Sequence, residues 1–567
     1  MLRALSERPL HLPRLRPYVP RPSDPAIFWF NAERDDILRT VVQRVLEGAT
    51  TGSARMELAL NDAAFHEVRR LEAQRDEESR TQLGYYRGLL RRIGRMSDSE
   101  KRATLEELIT RFAHDVAGNF DPRVYALARR GVPKVITSVM DPSRLATDLL
   151  SADAPAIHDL LAVQGDVARL RALEPRGTLI YVPTHSSNLD SIVLAHALDR
   201  SDLAPVVYGA GKNLFTNPII SFFMHNLGAY RVDRRVRVGL YKAVLKAYSS
   251  VLIERGYHSL FFPGGTRSRS GLIERHLKLG LAGTGVSAFA RNKRGRIARD
   301  VWFVPTTINY SLVLEAETLM EDWLSEEGRA RYIIEDDEFS RIDRWVAFFR
   351  KLVGLHHACV IRFGDPVDPF GNPVDAEGRS ASPAGRTIDP SSYLLDQGEI
   401  VLDEARDAAY TRELADVLVE RYERETVIMT TQLVAHVLFR HLTDVTAGLD
   451  LFARLRYRGE IAMPREELEA KLGEARDALT DLEQAGAVHT SEPLRTLAPA
   501  TLIARAIEVW NGYHSTRVAS DRGDEVLIDD PKLLLYYQNR LVPYAERIAG
   551  RRDRRAAREI AQMVSTR

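Results

Sequence analysis

The stretch Leu179–Ser191, LIYVPTHSSNLDS, runs from β-branched and aromatic residues into a polar turn and then into an apolar segment. This change predicts a strand, a turn and a helix in succession. His185 then lies at the carboxyl end of the strand, and Asp190 lies in the first turn of the helix. Because open α/β sheets place their chemistry at strand ends, this turn is a candidate functional site.

His185 and Asp190 form an H-x4-D pair, which occurs only once among the 15 histidines of the chain. An aspartate that accepts a hydrogen bond from one ring nitrogen fixes the tautomer and leaves the other nitrogen free to take a proton. The positive end of the helix dipole also favours the neutral imidazole that a base requires. Ser187 and Asp190 fit the S-x-x-D pattern of a helix capping box as well, and the local sequence leaves both interpretations open.

Short β-rich segments alternate with helical stretches from Gly177 onward, which predicts an α/β layered core of β-strands flanked by helices. The candidate strands are GTLIYVPTH, APVVYGAG, GAYRV, HSLFFPGG, VWFVPTTINY and ACVIRFGDPV.

Helical patterns dominate both ends of the chain, so we predict three regions. These are an N-terminal helical region at 1–155, the α/β domain at 156–400 and a C-terminal, mainly helical region at 401–567. One N-terminal helix is expected to have its capping residue at Ser99. Residues 464–490, read as two helices and a strand-like tip, could suggest a winged helix, but the lack of a basic face favours a structural subdomain.

Composition narrows the class of protein. With 79 Lys and Arg against 78 Asp and Glu, the formal charge is +1, which argues against a bulk nucleic-acid binder. The single cysteine, Cys359, excludes a disulfide framework and a cysteine zinc cluster, and is expected to be a buried strand residue. We expect no exported leader and no membrane-spanning helix, although the short apolar stretch that begins at Asn217 could lie on a membrane or be a buried helix.

A basic turn follows a short predicted strand in NLGAYRVDRR, where Gly228 permits a tight turn and Arg234 emerges six residues later. Arginine suits bidentate phosphate recognition. A solvated basic turn is an equally good interpretation of this segment by itself.

The segment Leu260–Gly271, LFFPGGTRSRSG, is the most informative in the chain. Its glycines expose backbone N–H groups that can form an anion nest, and its hydroxyls and arginines add donors and charge. This density of groups favours a phosphate site over a flexible basic loop. The chain has no G-x-S-x-G elbow, P-loop or H-E-x-x-H helix, so covalent serine chemistry, nucleotide hydrolysis and zinc hydrolysis are disfavoured.

Taken in order, HSSNLD, GAYRVDR, FPGGTRSRSG and VPTTINY resemble the four motifs of the glycerolipid acyltransferases. The segments NYSLVLEAETL, IRFGDPVDPFG and KLLLYYQNRLVPY are similar to the branch of membrane-associated glycerol-3-phosphate 1-O-acyltransferases. The motif-bearing resemblance covers roughly 177–373 and continues more weakly through Tyr544.

The resemblance implies a general base at His185 with Asp190 as its partner. Arg234, Arg267 and Arg269 would bind the phosphate of the acceptor, Ser268 and Gly265 would shape that pocket, and Pro305 would line it or hold its wall. No metal or cofactor is implied, since acyl-CoA or acyl-carrier protein serves as co-substrate.

The implied reaction moves a fatty acyl group to the sn-1 hydroxyl of glycerol 3-phosphate and gives lysophosphatidate for phospholipid biosynthesis. The implied partners are glycerol 3-phosphate, a long-chain acyl donor and a membrane phospholipid surface, with no nucleic acid, and the implied location is the cytoplasmic face of the cell membrane, peripherally bound. A lysophosphatidate or dihydroxyacetone-phosphate acyltransferase would use the same residues, and a non-catalytic lipid-binding relative is a further alternative.

One position departs from the family pattern, because Gly264 stands where the third motif usually has a glutamate. We expect either altered acceptor specificity or a compensating residue elsewhere in the chain.

Overall fold

The structure is a computed structural model that describes residues 18–50, 52–74, 77–129, 161–212, 218–327, 358–382 and 384–549. The expected boundary at 155/156 and the residue Asn217 lie outside the described residues. The three-region division therefore stays a prediction.

A seven-stranded sheet forms the centre of the molecule, with the strand order β1-β7-β6-β2-β5-β3-β4. Strands β6, β2, β5, β3 and β4 are parallel, whereas β7 is antiparallel to β6 and parallel to β1. This sheet confirms the α/β fold class. The strands are β1 Leu161–Gln164, β2 Gly177–Pro183, β3 Val207–Gly211, β4 Ala229–Val232, β5 Ser259–Leu260, β6 Asp300–Tyr310 and β7 Cys359–Phe363.

Strand β2 lies between β6 and β5 and is buried along its whole length. A strand covered on both faces needs apolar side chains at successive positions, as LIYVP supplies. Because parallel strands end at the same edge of a sheet, the segments that follow β2, β4 and β5 all emerge at one edge. Cys359 is buried in β7, as expected.

Four helices precede the sheet in the described chain, followed by helical residues at 122–129. They are α1 Phe30–Ala49, α2 Ser53–Glu72, α3 Glu77–Arg92 and α4 Asp98–Val116. The cap of α4 is Ser97 and not Ser99, because Ser97 and Glu100 form a reciprocal capping box.

The N-terminal helices share one hydrophobic core with β4 and the helix Gly239–Glu254. The Tyr248 hydroxyl accepts a hydrogen bond from the Gly118 N–H at 3.0 Å, and the Asn119 and Asn226 side chains are joined at 2.8 Å. This region therefore supports the side of the sheet from which Arg234 emerges.

Six helices belong to the sheet region. They are α5 Val167–Leu173, α6 Asp190–Arg200, α7 Pro218–Asn226, α8 Gly239–Glu254, α9 Leu279–Arg294 and α10 Ala316–Glu327. No helix in the described ranges is both long and apolar enough to cross a membrane.

The C-terminal helices share the largest hydrophobic core with the sheet. They are α11 Glu404–Glu425, α12 Thr430–Val445, α13 Leu451–Leu455, α14 Arg465–Gln484, α15 Glu492–Thr496, α16 Pro499–Tyr513, α17 Pro531–Gln538 and α18 Ala545–Ile548, with a 3-10 helix at Asn539–Tyr544. The segment that was expected to hold two helices forms the single helix α14.

Short strands complete the C-terminal half of the described chain. They are β8 Ser380–Ala381, β9 Thr387–Ile388, β10 Leu395–Asp396, β11 Glu399–Ile400, β12 Val427–Ile428, β13 Ala462–Pro464, β14 His489–Thr490, β15 Ala519–Asp521 and β16 Glu525–Ile528. The strand-like tip after α14 is β14, which pairs in parallel with β12.

Candidate active site

His185 and Asp190 meet at the carboxyl edge of the sheet, with 2.8 Å between His185 Nδ1 and Asp190 Oδ2. Asp190 is the first residue of α6, and the turn from β2 brings its carboxylate back toward the imidazole. Half of the S-x-x-D capping-box pattern is present, because the Ser187 N–H donates to Asp190 Oδ2 at 3.0 Å, but no side chain caps the first turn of α6.

The Asp190 carboxylate is fully buried and satisfied by four donors. Oδ2 accepts from the N–H groups of Ser186 at 2.7 Å and Ser187 at 3.0 Å, as well as from the imidazole. Oδ1 accepts from the Tyr310 hydroxyl at 2.7 Å, and burial next to Asp190 raises the pKa of that hydroxyl well above its usual value, which keeps it a donor. An ionised carboxylate only accepts, so His185 carries its proton on Nδ1.

The second ring nitrogen of His185 is available for chemistry. Among the described residues, no hydrogen-bond partner is found for Nε2, and the side chain keeps 16% of its surface exposed. The Phe262 ring stacks on the imidazole with 4.0 Å between centroids. Asp190 and Phe262 therefore fix the plane of a ring whose Nε2 lone pair can accept a proton.

The loop after β5 wraps around the His185 backbone. The Ser268 N–H donates to the His185 carbonyl at 2.7 Å, and the Ser268 hydroxyl donates to the Leu272 carbonyl at 2.7 Å. Glu274 Oε1 accepts from the His185 N–H at 2.5 Å. The first and third motifs are thus one hydrogen-bonded unit.

Arg267 joins the same unit through Glu315, a buried residue that follows β6. Arg267 Nη1 lies 3.2 Å from Glu315 Oε1, and the Glu315 carboxylate also accepts from the Ser187 hydroxyl at 2.8 Å and from the Asn188 N–H at 3.0 Å. Burial raises the pKa of Glu315, and the Arg267 guanidinium opposes that rise. Glu315 thus links Arg267 to the turn that carries His185.

A second basic group lies at the Gly265 turn. Gly265 has a φ of +73°, which favours glycine, and a Cβ there would approach Lys278 Nζ to 2.7 Å. Burial lowers the pKa of the Lys278 ammonium, and the nearby Arg234 guanidinium lowers it further. The two cations are thus close enough to repel each other, and neither has an ion-pair partner among the salt bridges of the described residues. This arrangement suits an anion.

The remaining expected site residues are placed differently. Arg269 is half-buried in the loop after β5. Pro305 lies within β6 beside Val182, and its carbonyl accepts from the Gly364 N–H at 2.7 Å. It belongs to the sheet that supports the site and is outside the hydrogen-bonded unit around His185.

The C-terminal region also reaches the site, which the sequence did not predict. Arg540 is buried, and its Nη2 donates to the Ser186 hydroxyl at 2.9 Å. Asn539 Nδ2 donates to the Ser270 carbonyl at 2.8 Å. A lone arginine within the apolar run KLLLYYQNRLVPY was the only sequence feature that marked this contact.

Five further residues around His185 were not singled out from the sequence: Phe262, Glu274, Lys278, Tyr310 and Glu315. Tyr310 ends the fourth motif and Glu315 lies in the segment NYSLVLEAETL that follows it, whereas Glu274 and Lys278 lie in a stretch without a distinctive pattern. Within the described ranges, no cluster of His, Cys, Asp and Glu side chains could hold a metal ion.

Comparison with known proteins finds similarity over the segment that carries His185 and Asp190. Residues 165–309 match the acyltransferase family model. Over 155 residues the chain is 32% identical to a glycerol-3-phosphate acyltransferase of Pseudomonas paraeruginosa, a match that covers 27% of this chain and 18% of that protein. The proteins of the same name from Pseudomonas syringae pv. tomato and Ectopseudomonas mendocina are 32% and 33% identical over 165 residues, which cover 29% of this chain and 19% of each relative.

The matched part of the chain thus spans about a fifth of the length of these curated relatives. A crystal structure of the 1-acyl-sn-glycerophosphate acyltransferase from Thermotoga maritima aligns with 52% of this chain and 81% of that chain at 18% identity, with a TM-score of 0.24. The superposition is too loose to support a structural argument. The match to the acyltransferase family model covers the strand, turn and helix that hold His185 and Asp190, and it ends within β6 at residue 309.

Proposed function

We propose that this protein is a glycerol-3-phosphate 1-O-acyltransferase. The observation that carries the proposal is the His185–Asp190 pair, in which Nδ1 is held at 2.8 Å and Nε2 has no described partner. The names of the relatives support glycerol 3-phosphate as the acceptor.

His185 Nε2 removes the proton of the sn-1 hydroxyl while that oxygen attacks the thioester carbonyl of the acyl donor. The new ester forms as the C–S bond breaks, and the imidazolium returns its proton to the departing thiolate. Asp190 stabilises the imidazolium throughout. The transfer is direct and forms no acyl-enzyme.

The phosphate of the acceptor binds to Arg234, Arg267 and Arg269, in a pocket that Gly265 and Ser268 shape. Arg267 already lies against Glu315, so its guanidinium is oriented before the substrate arrives. Holding the anionic end fixes the hydroxyl next to the base, which contributes a large part of such rate accelerations.

The acyl donor is acyl-CoA or acyl-carrier protein, and the scheme requires no metal or other cofactor. The test is acyl transfer to glycerol 3-phosphate by the full chain, run beside His185→Ala. We expect the variant to lose about 100- to 10,000-fold in kcat. His66→Ala is the matched control, because His66 also lies near an aspartate, with 3.4 Å between its Nε2 and Asp62 Oδ1, yet it sits on the N-terminal helix α2.

Equal activity of His185→Ala and wild type would refute the proposed base. A panel with lysophosphatidate and dihydroxyacetone phosphate identifies the acceptor, and preference for either would replace glycerol 3-phosphate in the proposal. Saturable phospholipid binding without transfer from any donor would instead indicate a non-catalytic relative.

Peripheral attachment to the cytoplasmic face of the membrane is part of the proposal, because the acyl chain and the product partition into lipid. The proposed contact includes α7, where Phe222 and Phe223 are half-buried with 5.4 Å between ring centroids. Replacing both with serine should reduce flotation with phospholipid vesicles. Phe65→Ser, at an exposed phenylalanine of α2, is the control, and unchanged flotation of the double variant would rule out this contact.

A further inference from the structure

Position 264, where the family usually has a glutamate, is filled in space by another glutamate of this chain. A Cβ built on Gly264 would lie 3.1 Å from Glu274 Cγ. Gly264 does not have a positive φ, so its backbone would accept a side chain, and the space for that side chain is occupied by Glu274. Glu274 follows ten residues later in the same loop.

The Glu274 carboxylate contacts the turn after β2 that carries His185. Its Oε1 accepts from the His185 N–H at 2.5 Å, a charge-assisted contact to the backbone of the proposed base. On the other side, the His185 carbonyl accepts from the Ser268 N–H at 2.7 Å. The backbone of His185 is therefore held from both sides by the loop that follows β5.

The environment of Glu274 raises the free energy of an ionised carboxylate. Its Oε2 is shielded from solvent and has no hydrogen-bond partner among the described residues. Burial raises the pKa of this carboxyl, and the Arg540 guanidinium opposes the rise. An incompletely satisfied buried acid lowers stability, which indicates a functional reason for its presence.

We propose that Glu274 is a positioning residue that supplies, from a different place in the loop, the carboxylate missing at Gly264. It holds the backbone of His185, while Asp190 holds the ring, so the two acids fix the base at two points. This inference rests on the proposed acyl transfer, and it predicts a larger effect on kcat than on substrate binding.

The experiment moves the carboxylate along the chain. Glu274→Ala should lower kcat about 10- to 100-fold, because the His185 N–H loses its hydrogen bond to a charged group. KM for glycerol 3-phosphate should stay within about threefold of wild type, because no contact to the phosphate is removed. Glu274→Gln should stay within about fivefold of wild type, since its amide oxygen can accept the same N–H. The double variant Gly264→Glu/Glu274→Ala should recover at least about tenfold of the lost kcat, since removing Glu274 opens the space for the new side chain.

Glu423→Ala is the matched control. Glu423 forms a salt bridge with Arg275, the residue next to Glu274, with 2.9 Å between Glu423 Oε1 and Arg275 Nη2. It should leave kcat unchanged. An unchanged kcat in Glu274→Ala would overturn the inference, and so would a double variant that melts like wild type without regaining activity.

Hydrogen exchange of the peptide that spans 179–191 gives a readout independent of turnover. Glu274→Ala should speed exchange of one amide in this peptide, and the double variant should restore its protection. If wild type transfers no acyl group, the proposed function fails, and the exchange data still decide the positioning role. Equal exchange in wild type and Glu274→Ala would overturn that role.

Discussion

Replacing Asp190 with asparagine removes a charge from the site and preserves its hydrogen-bond geometry. Oδ2 faces two backbone N–H groups, those of Ser186 and Ser187, as well as the His185 ring. An amide nitrogen in place of Oδ2 would face three hydrogen-bond donors, so the oxygen of the asparagine side chain must occupy the Oδ2 position. The amide nitrogen then faces the Tyr310 hydroxyl, whose oxygen can accept. His185 therefore keeps its Nδ1–H tautomer.

The variant isolates the electrostatic support that Asp190 gives to the imidazolium. Opposite charges about 4 Å apart interact with about 4 kcal/mol at an effective dielectric constant near 20. Since each 1.36 kcal/mol corresponds to about tenfold in rate, we expect kcat to fall about 1,000-fold. The free energy of unfolding should fall by only about 1–3 kcal/mol, because the bonds survive without the charge.

Steady-state acyl transfer to glycerol 3-phosphate and urea denaturation measure these two effects. Asp368→Asn is the matched control, because Asp368 is also buried and its Oδ1 accepts from the N–H groups of Phe370 at 2.9 Å and Asn372 at 3.0 Å. It should keep its activity. A folded Asp190→Asn protein with kcat within about tenfold of wild type would refute the proposed charge support.

Three further predictions concern neighbouring contacts. Tyr310→Phe removes the donor to Asp190 Oδ1 and should lower the free energy of unfolding by about 1.5–3 kcal/mol, with a smaller loss of kcat than Asp190→Asn; an unchanged urea midpoint would contradict this. Lys278→Met should raise KM for glycerol 3-phosphate about tenfold at low salt, and less at high salt, because it removes a cation at the Gly265 turn; an effect confined to kcat would argue against an anion site. Burial raises the pKa of Glu174 from 4.5 to about 7, so the folded protein binds a proton that the unfolded chain releases, and this contribution to stability is lost as the pH rises through 7. The advantage of Glu174→Gln in unfolding free energy should therefore grow by ~3 kcal/mol between about pH 4.5 and 8, and a constant difference across that range would contradict it.

Sequence patterning predicted the α/β core and the turn that carries His185 because both depend on local interactions. A run of apolar residues specifies the buried strand β2, and the polar turn after it fixes where His185 emerges. The same reasoning was wrong about the exact residue at which the helix α4 is capped. It placed a helix cap at Ser99 where Ser97 has the capping geometry, since neighbouring serines differ only in backbone conformation.

The order of the motifs can be read directly from the chain, and parallel strand pairing brings the segments after β2, β4 and β5 to one edge of the sheet. The set of side chains that completes the site depends on how distant elements pack. Glu274 contacts His185 from 89 residues away, Tyr310 contacts Asp190 from 120, and Arg540 contacts Ser186 from 354. Such contacts follow from the packing of distant elements, which leaves no periodic pattern near either partner. A glycine where a glutamate is usual therefore stands out in the sequence, whereas the glutamate beside it becomes evident only in the folded loop.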